Sequence, residues 1–229
     1  MEHTIARILG FNSRKEMCIR YYGLNHFGWW TSIKDKDGKE YIQDLIAHQL
    51  KYGNCLADDD ASYYTDSSWF DTAKKVKDII AIDPTMCPNS YFQYYLFGDD
   101  MVAHTDPNYT RADQVVDTRE KRVFGECARI EKVGTAKDTT LQIGIHAEFI
   151  VDLATALAFN THERMLLIVP NNGAISNFEK DAMVEIPCIV GKDGYEPLTV
   201  GEIPHFQKGL MEQQVNCEKL VVDAYEQHS

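Results

Sequence analysis

His26 has the residue type and the setting of a metal ligand. It lies between Asn25 and Phe27, just after a segment, residues 18–22, that is predicted to be a β-strand ending at Gly23. An imidazole is a borderline ligand that suits manganese, iron, cobalt or zinc. The end of a strand can hold such a ligand rigidly, and a polar neighbour such as Asn25 can orient it. A hydrogen-bonded histidine of the core is the alternative, and the residues alone leave both interpretations open.

Tyr91 is a candidate general base. A phenol has an ordinary pKa near 10, so it must lose its own proton first, and a nearby metal ion or cation promotes that loss. An ionised tyrosine can then take a proton from an activated carbon. The alternative is that Tyr91 packs in a core with the aromatic residues that follow it, namely Phe92, Tyr94, Tyr95 and Phe97.

Arg111 is a candidate ligand for a phosphate group. It stands at the start of a charged segment, Arg111 to Ile130, which is predicted to be a helix. A guanidinium group matches a phosphate with two parallel hydrogen bonds, and the donors of a helix start add to that binding. Alternatively, Arg111 is a solvated residue like Arg119 and Arg122 in the same helix.

The elements that must position these residues form a mixture of helices and strands. Gly, Pro and Asp residues mark the ends of the apolar segments. No linker rich in Pro, Gly or Ser divides the chain, so we expect one α+β domain. The loops expected are 56–67 and the turn 171–173, and a hairpin is expected to turn at 35–38. The predicted helices are 3–10, 45–50, 69–80, 111–130, 146–159 and one from about 206 onward, and the predicted strands are 18–22, 29–33, 165–169 and 183–190.

Composition excludes several classes of partner. The 229 residues include 35 acidic and 23 basic side chains, a net charge of −12, which disfavours nonspecific binding to nucleic acid or to an anionic membrane. A single phosphate on a small substrate is still compatible, because one arginine can hold it locally. We expect a cytoplasmic protein with neither nucleic-acid nor membrane partners. Its six cysteines show no CxxC spacing, so neither a zinc site nor a disulfide framework is predicted.

Several motifs resemble glycoside hydrolase family four, in particular its 6-phospho-α-glucosidase branch. Gly23-Leu24-Asn25-His26-Phe27-Gly28-Trp29-Trp30 is similar to the metal-histidine motif of that family. The resemblance continues in order over nearly the whole chain. The further segments that carry it are Pro88-Asn89-Ser90-Tyr91-Phe92-Gln93-Tyr94-Tyr95, Thr110-Arg111-Ala112, Ile150-Val151-Asp152-Leu153-Ala154, Asn171-Asn172-Gly173-Ala174-Ile175, Val184-Glu185-Ile186-Pro187 and Phe206-Gln207-Lys208-Gly209-Leu210-Met211.

The resemblance implies a specific chemistry. Family members differ from most glycosidases in using NAD and a divalent metal, usually Mn²⁺. NAD oxidises the sugar at C3, a base removes the C2 proton, the glycosidic oxygen leaves, and the steps then reverse with water. His26 matches the metal ligand, Tyr91 the general base, and Arg111 and Asn25 substrate-binding positions. The substrate would be a 6-phospho-α-glucoside such as maltose 6'-phosphate, and the enzyme a homo-oligomer.

The resemblance also implies missing parts. In the family, the cysteine of a Cys-Asp pair upstream of the histidine also holds the metal, and the aspartate is the proposed acid, but here Cys18 is followed by Ile19. No Gly-rich dinucleotide fingerprint is present, so we expect no NAD site in this chain. Residues 1–10 are expected to end a helix of a missing N-terminal part. Residues 11–229 are expected to form the lactate-dehydrogenase-like C-terminal domain of a family-four glycosidase, without its Rossmann domain and truncated at its C-terminus.

Two hypotheses about the function of the chain follow. The first is a part of an active phosphoglucosidase that is inactive by itself. The second is a non-catalytic remnant or split subunit that keeps only an oligomer-contact surface.

Overall fold

The computed structural model describes residues 2–60, 62, 67–141 and 145–228. The described chain contains nine α-helices and six β-strands, together with short 3₁₀ turns. The helices are α1 (Glu2–Leu9), α2 (Ile42–Tyr52), α3 (Ser67–Ile82), α4 (Gln93–Leu96), α5 (Gly98–Ala103), α6 (Arg111–Gln114), α7 (Lys121–Val133), α8 (Ile145–Phe159) and α9 (His205–Glu226); the strands are β1 (Cys18–Leu24), β2 (Phe27–Lys34), β3 (Cys87–Pro88), β4 (Glu163–Pro170), β5 (Met183–Gly191) and β6 (Gly194–Pro197).

One antiparallel sheet organises the fold. Its strand order is β3-β2-β1-β5-β4, and β6 pairs with β5. β1 and β2 form a hairpin in which Leu24 pairs with Phe27, and β1 meets β5 through the pair Gly23 and Glu185. The predicted α+β class is therefore confirmed.

Apolar side chains pack on the sheet in separate clusters. Tyr22 and Trp29 belong to the largest cluster, with α3 and α9, whereas Tyr21 and Trp30 belong to a second one, with α1 and α2. Neighbouring residues fall into different clusters because successive side chains of a strand point to opposite faces. The side chain of Ile5 in α1 is fully buried in the second cluster.

The helical segments between α4 and α8 are more exposed. In α6, Thr110 is the N-cap, and its side chain and that of Asp113 form a reciprocal capping box. A π-helical stretch, Val115–Glu120, joins α6 to α7, which ends at the left-handed Gly134. We call residues 98–133 the helical arm. Glu126 is the single buried side chain of this described range.

The sequence predicted most of these elements and missed one hairpin. The predicted helices and the strands at 18–22, 29–33, 165–169 and 183–190 are confirmed. The turn expected at residues 35–38 is present, since the Gly38 amide donates to the Asp35 carbonyl at 3.1 Å and Lys34 pairs antiparallel with Glu40 across it. The longer hairpin, in which β1 pairs with β2 across Asn25 and His26, was not predicted. Of the predicted loop 56–67, residues 61 and 63–66 lie outside the described residues.

Two further expectations concern cysteines and membrane segments. All six cysteines are free thiols, of which Cys55, Cys87 and Cys188 are buried and Cys18, Cys127 and Cys217 are exposed. Among the described residues, none of the helices combines the length and the apolar composition that a membrane crossing requires.

Candidate active site

His26 occupies a strained position at the tip of the β1–β2 hairpin. Asn25 and His26 form its turn, and both side chains are exposed. His26 has φ 118°, and its amide donates to the carbonyl of Leu24 at 2.5 Å. A non-glycine residue at such a φ costs on the order of 1–3 kcal/mol and recurs at functional sites. The hairpin therefore holds the backbone of His26 in a conformation that a residue with a side chain does not favour.

Tyr91 lies directly against His26. The two rings are stacked, with centroids 4.2 Å apart and planes inclined by 3°. Tyr91 belongs to a 3₁₀ turn, Ser90–Phe92, whose N-cap is Asn89. The side-chain oxygen of Asn89 accepts from the Tyr91 amide at 3.0 Å, and the Asn89 amide donates to the Gly28 carbonyl at 2.8 Å. The turn that carries Tyr91 is thus tied to the strand that follows His26.

The aromatic residues around Tyr91 divide into two groups. Phe92 is in the core at 1% exposure, whereas Tyr91 is only half-buried. Trp69 and Tyr94 flank the Tyr91 ring at centroid distances of 6.1 and 6.0 Å. The core interpretation therefore fits Phe92, while Tyr91 keeps one part of its ring accessible beside His26.

The protein environment favours the neutral forms of both rings. Partial desolvation lowers the pKa of His26, so the imidazole is neutral near pH 7. Burial raises the pKa of Tyr91 and the nearby Tyr94 adds to that effect, whereas the charge of Arg111 lowers it. A neutral imidazole can bind a metal ion. The phenol of Tyr91, in contrast, stays protonated at neutral pH unless more positive charge comes near.

Arg111 is brought to the same region by the helical arm. Its positive charge lowers the pKa of Tyr91, and one of its nitrogens donates to Oε1 of Gln114 at 3.2 Å. The side chain is exposed at the start of α6. Asn25 and His26 thus lie at the tip of the hairpin, Tyr91 lies in the adjoining turn, and Arg111 lies in the helical arm.

A buried polar group next to the turn of Tyr91 was not predicted. The hydroxyl of Tyr21 donates to Oε2 of Glu185 at 3.1 Å and accepts from the side-chain amide of Asn89 at 3.4 Å. Burial raises the pKa of Glu185 to about 7. An acidic residue inside the otherwise apolar strand 183–190 was the available sequence signal, because buried carboxylates are rare without a partner.

The turn that follows β4 is structural. Asn171 is buried, and its side-chain amide donates to the carbonyls of Ile175, Phe178 and Glu179. Its oxygen accepts from the Ile175 amide at 2.7 Å. The expectation that this Asn-Asn-Gly segment forms a tight turn is confirmed.

His26 fits a metal site as one ligand among several. It is exposed, neutral and fixed in direction by the hairpin, which suits a divalent metal ion. Within the described part of the chain, no three His, Cys, Asp or Glu side chains come together in a group that could hold a metal ion.

Comparison with known proteins identifies the family. The C-terminal domain of the family 4 glycosyl hydrolases matches residues 21–229. The whole chain is 56% identical to half (52%) of the maltose-6'-phosphate glucosidase MalH of Clostridium acetobutylicum, and 53% identical to half (51%) of the maltose-6'-phosphate glucosidase of Bacillus subtilis. The chain thus spans about half the length of the curated relatives it matches.

Solved structures agree with this result. A 6-phospho-α-glucosidase from gut microorganisms, crystallised with NAD and Mn²⁺, superposes with a TM-score of 0.89 at 40% identity, over 100% of this chain and 51% of that one. A second structure of such an enzyme, with NAD and glucose-6-phosphate, gives a TM-score of 0.88 at 39% identity, over 100% and 51% of the two chains. Fold and sequence agree over the region that carries His26, Tyr91 and Arg111, and the chain belongs to glycoside hydrolase family four, as its C-terminal domain.

Proposed function

We propose that this chain is the C-terminal half of a 6-phospho-α-glucosidase that uses NAD and Mn²⁺. The observation that carries the proposal is the stacking of His26 on Tyr91, since it joins a metal-binding group and a proton-accepting group in one place. The parent enzyme would be a cytoplasmic homo-oligomer that hydrolyses a phosphorylated disaccharide such as maltose 6'-phosphate. Residues 1–10 would end a helix that begins in the other half, and residues 11–229 would form the catalytic domain.

His26 would supply one ligand to the metal. Its lowered pKa leaves a nitrogen lone pair available at neutral pH, and the rigid hairpin reduces the freedom lost on binding. When bound, Mn²⁺ supplies a Lewis acid for the sugar oxygens and NAD supplies a hydride acceptor. The remaining ligands and the NAD site would belong to the other half of the parent.

Tyr91 would hold and move the proton of the sugar C2 atom. In this chain its phenol stays protonated at neutral pH because burial outweighs the charge of Arg111. A cation on His26 would act in the same direction as Arg111, because positive charge stabilises the phenolate. Tyr91 would therefore become a base only when the site is assembled, which limits proton abstraction to the complete enzyme.

Arg111 and Asn25 would bind the substrate. The guanidinium presents paired donors that match a phosphate group, and its exposed position leaves it accessible. Asn25 lies beside His26 at the tip of the hairpin, where an amide can donate to a sugar hydroxyl. The phosphate would lie on the side of the helical arm and the reacting carbon on the side of the hairpin.

A hybrid enzyme tests the proposal. The N-terminal half of the Clostridium acetobutylicum relative is joined to this chain, and hydrolysis of p-nitrophenyl-α-glucose 6-phosphate is measured with NAD and Mn²⁺. We expect turnover by the hybrid and none by the 229-residue chain alone. The hybrid with His26→Ala should fold equally well but lose bound manganese and activity.

The same hybrid separates the two hypotheses about the chain. If the hybrid folds and binds NAD but does not hydrolyse the substrate, the chain is a non-catalytic remnant and the proposed function is wrong. If His26→Ala keeps both stoichiometric manganese and normal turnover, the metal-ligand assignment is wrong, whatever the activity of the hybrid.

A further inference from the structure

We propose that Tyr21 is a positioning residue that fixes His26 and Tyr91 relative to each other through buried hydrogen bonds. This inference rests on the proposed function, because it explains how the two residues of that site are held. Tyr21 lies in β1, and 1% of its surface is exposed. It is one of the polar groups that the sequence did not indicate.

The hydroxyl of Tyr21 takes part in two hydrogen bonds and so connects their two partners. It donates to the carboxylate of Glu185 at 3.1 Å and accepts from the side-chain amide of Asn89 at 3.4 Å. Burial, together with the neighbouring Glu185, raises the pKa of Tyr21 well above its usual range, so the hydroxyl remains a donor. One oxygen atom thus links strand β5 to the turn that follows β3.

The two hydrogen bonds lead toward the two site residues. Glu185 pairs with Gly23 in the sheet, at the base of the hairpin whose tip carries His26. On the other side, the oxygen of Asn89 accepts from the amide of Tyr91 at 3.0 Å. The order Glu185, Tyr21, Asn89 therefore runs from the hairpin that presents the imidazole to the turn that presents the phenol.

The local backbone makes room for this hydroxyl. A Cβ atom on Gly28 would lie 2.4 Å from the Tyr21 oxygen, far closer than a contact allows. The Tyr21 ring is held from the side by Trp30, at a centroid distance of 4.8 Å. Glycine at position 28 thus leaves room for the hydroxyl end of the Tyr21 ring and for the Tyr22 carbonyl, each of which a Cβ atom would approach within 2.6 Å.

Loss of this link should move the site residues without removing them. A displacement on the order of 1 Å can cost about 100-fold in rate. Changes to groups that orient a metal-binding histidine typically cost about 10- to 100-fold in metal affinity or activity. Substrate binding through Arg111 should be unaffected, because the helical arm is not part of the chain of hydrogen bonds.

The test compares two adjacent tyrosines. Tyr21→Phe removes the linking hydroxyl and keeps the ring, while Tyr22→Phe removes a hydroxyl that donates to the sulfur of Met86 on the other side of β1. In the hybrid enzyme, we expect Tyr21→Phe to lower kcat by about 10- to 100-fold with an unchanged KM for the sugar phosphate. Tyr22→Phe should change neither constant.

A second measurement does not depend on activity. In the 229-residue chain, the imidazole protons of His26 should be shifted upfield by the Tyr91 ring, and a His26→Gln variant assigns their signal. Tyr21→Phe should remove that upfield shift, and Tyr22→Phe should keep it. If the wild-type hybrid is inactive, the proposed function fails while this measurement still tests the positioning role.

A further variant covers the case in which Tyr21→Phe does not fold. Asn89→Ser keeps a side chain that can cap the turn of Tyr91, because serine is about as good a cap as asparagine. It is too short to reach Tyr21, so it cuts the same chain at another point. A His26 signal in these variants that superposes on that of the wild type, or a kcat equal to that of Tyr22→Phe, would overturn the inference.

Discussion

The hairpin that carries His26 and the helical arm that carries Arg111 differ in how they are held. Gly23 and Gly28 pair across the hairpin, and its two strands have buried side chains, among them Leu24, Phe27 and Trp29. In the described range 98–133, only Glu126 is buried. The arm instead exposes apolar side chains to solvent, including Val102, Val116, Phe124 and Val133.

This difference matches two kinds of task in the proposed enzyme. Metal binding and proton transfer tolerate little displacement, which favours groups held by a packed sheet. Recognition of a phosphate depends on charge and on paired donors, which a side chain on a less buried element can still provide. Local stability follows burial, so the hairpin tip should be rigid and the helical arm should open more easily.

The largest expected effect tests the hairpin side. Tyr91→Phe in the hybrid enzyme keeps the ring that stacks on His26 and removes the ionisable oxygen. Turnover should fall by about 10²- to 10⁴-fold, the usual contribution of a positioned base. Thermal unfolding measures the stability, which should change by no more than a hydrogen bond, about 0.5–1.5 kcal/mol.

Isotope exchange identifies the cause of that loss. The exchange of the C2 proton of the substrate with deuterium should be suppressed in Tyr91→Phe, because it requires the base. Tyr94→Phe is the matched control, since Tyr94 is an exposed neighbour of the same turn. Exchange at the wild-type rate in Tyr91→Phe would assign the base elsewhere.

A smaller effect is expected on the side of the helical arm. Arg111→Met should raise KM for the phosphorylated substrate and leave kcat nearly unchanged, since it removes binding that ground and transition states share. Loss of a charged hydrogen bond costs about 1.5–3 kcal/mol, which is roughly 10- to 150-fold in kcat/KM. Arg122→Met, at another exposed position of the arm, is the control for charge. A fall in kcat with constant KM would place Arg111 in the chemistry instead.

The sequence indicated the elements of the fold better than their connections. The spacing of apolar residues and the glycines at segment ends predicted the long helices and β4 and β5. The turn at Asp35-Lys36-Asp37-Gly38 was predicted because its residues are a strong turn signal, whereas the β1–β2 hairpin was missed because its turn puts His26 at φ 118°. Histidine is not the residue that turn statistics favour there, so a local rule fails at the functional position.

The sequence predicted the residues of the site but not the contacts between them. His26, Tyr91 and Arg111 came from family motifs, which carry residue types and order. The stacking of His26 on Tyr91 depends on how β3 and its turn dock on β2, which no local pattern encodes. Tyr21 and Asn89 were missed because a buried tyrosine and a turn asparagine are ordinary in sequence, and only their shared hydrogen bond makes them distinctive.

The strain at His26 yields a stability prediction. His26→Gly should unfold with a higher free energy than His26→Ala, by about 1 kcal/mol or more, because glycine accepts φ 118° without steric cost while alanine does not. Both variants lack the imidazole, so chemical denaturation of the 229-residue chain isolates the backbone term. Equal stability of the two variants would show that the turn is not strained. Asn25→Gly and Asn25→Ala serve as the matched pair at the other turn position.

The smallest expected effect concerns the one buried group of the helical arm. The Glu126 carboxylate accepts from Arg129 at 2.9 and 2.7 Å and from the Thr140 amide at 3.0 Å, so it ties the end of α7 to the segment that follows. These hydrogen bonds, led by that of Arg129, lower the pKa of Glu126 to about 2. Because the folded pKa is below the usual value of 4.5, the stabilisation is complete above pH 4.5 and is lost as pH falls toward 2.

Amide exchange of Thr140, corrected for its intrinsic rate, should therefore lose protection over that range in the wild type. In Glu126→Gln, protection should be low and independent of pH, while Glu131→Gln, an exposed position of α7, should behave as the wild type. Protection of Thr140 that persists at pH 2, or in Glu126→Gln, would mean that the arm is held by more than this carboxylate and is closer to the hairpin in rigidity than its exposure suggests.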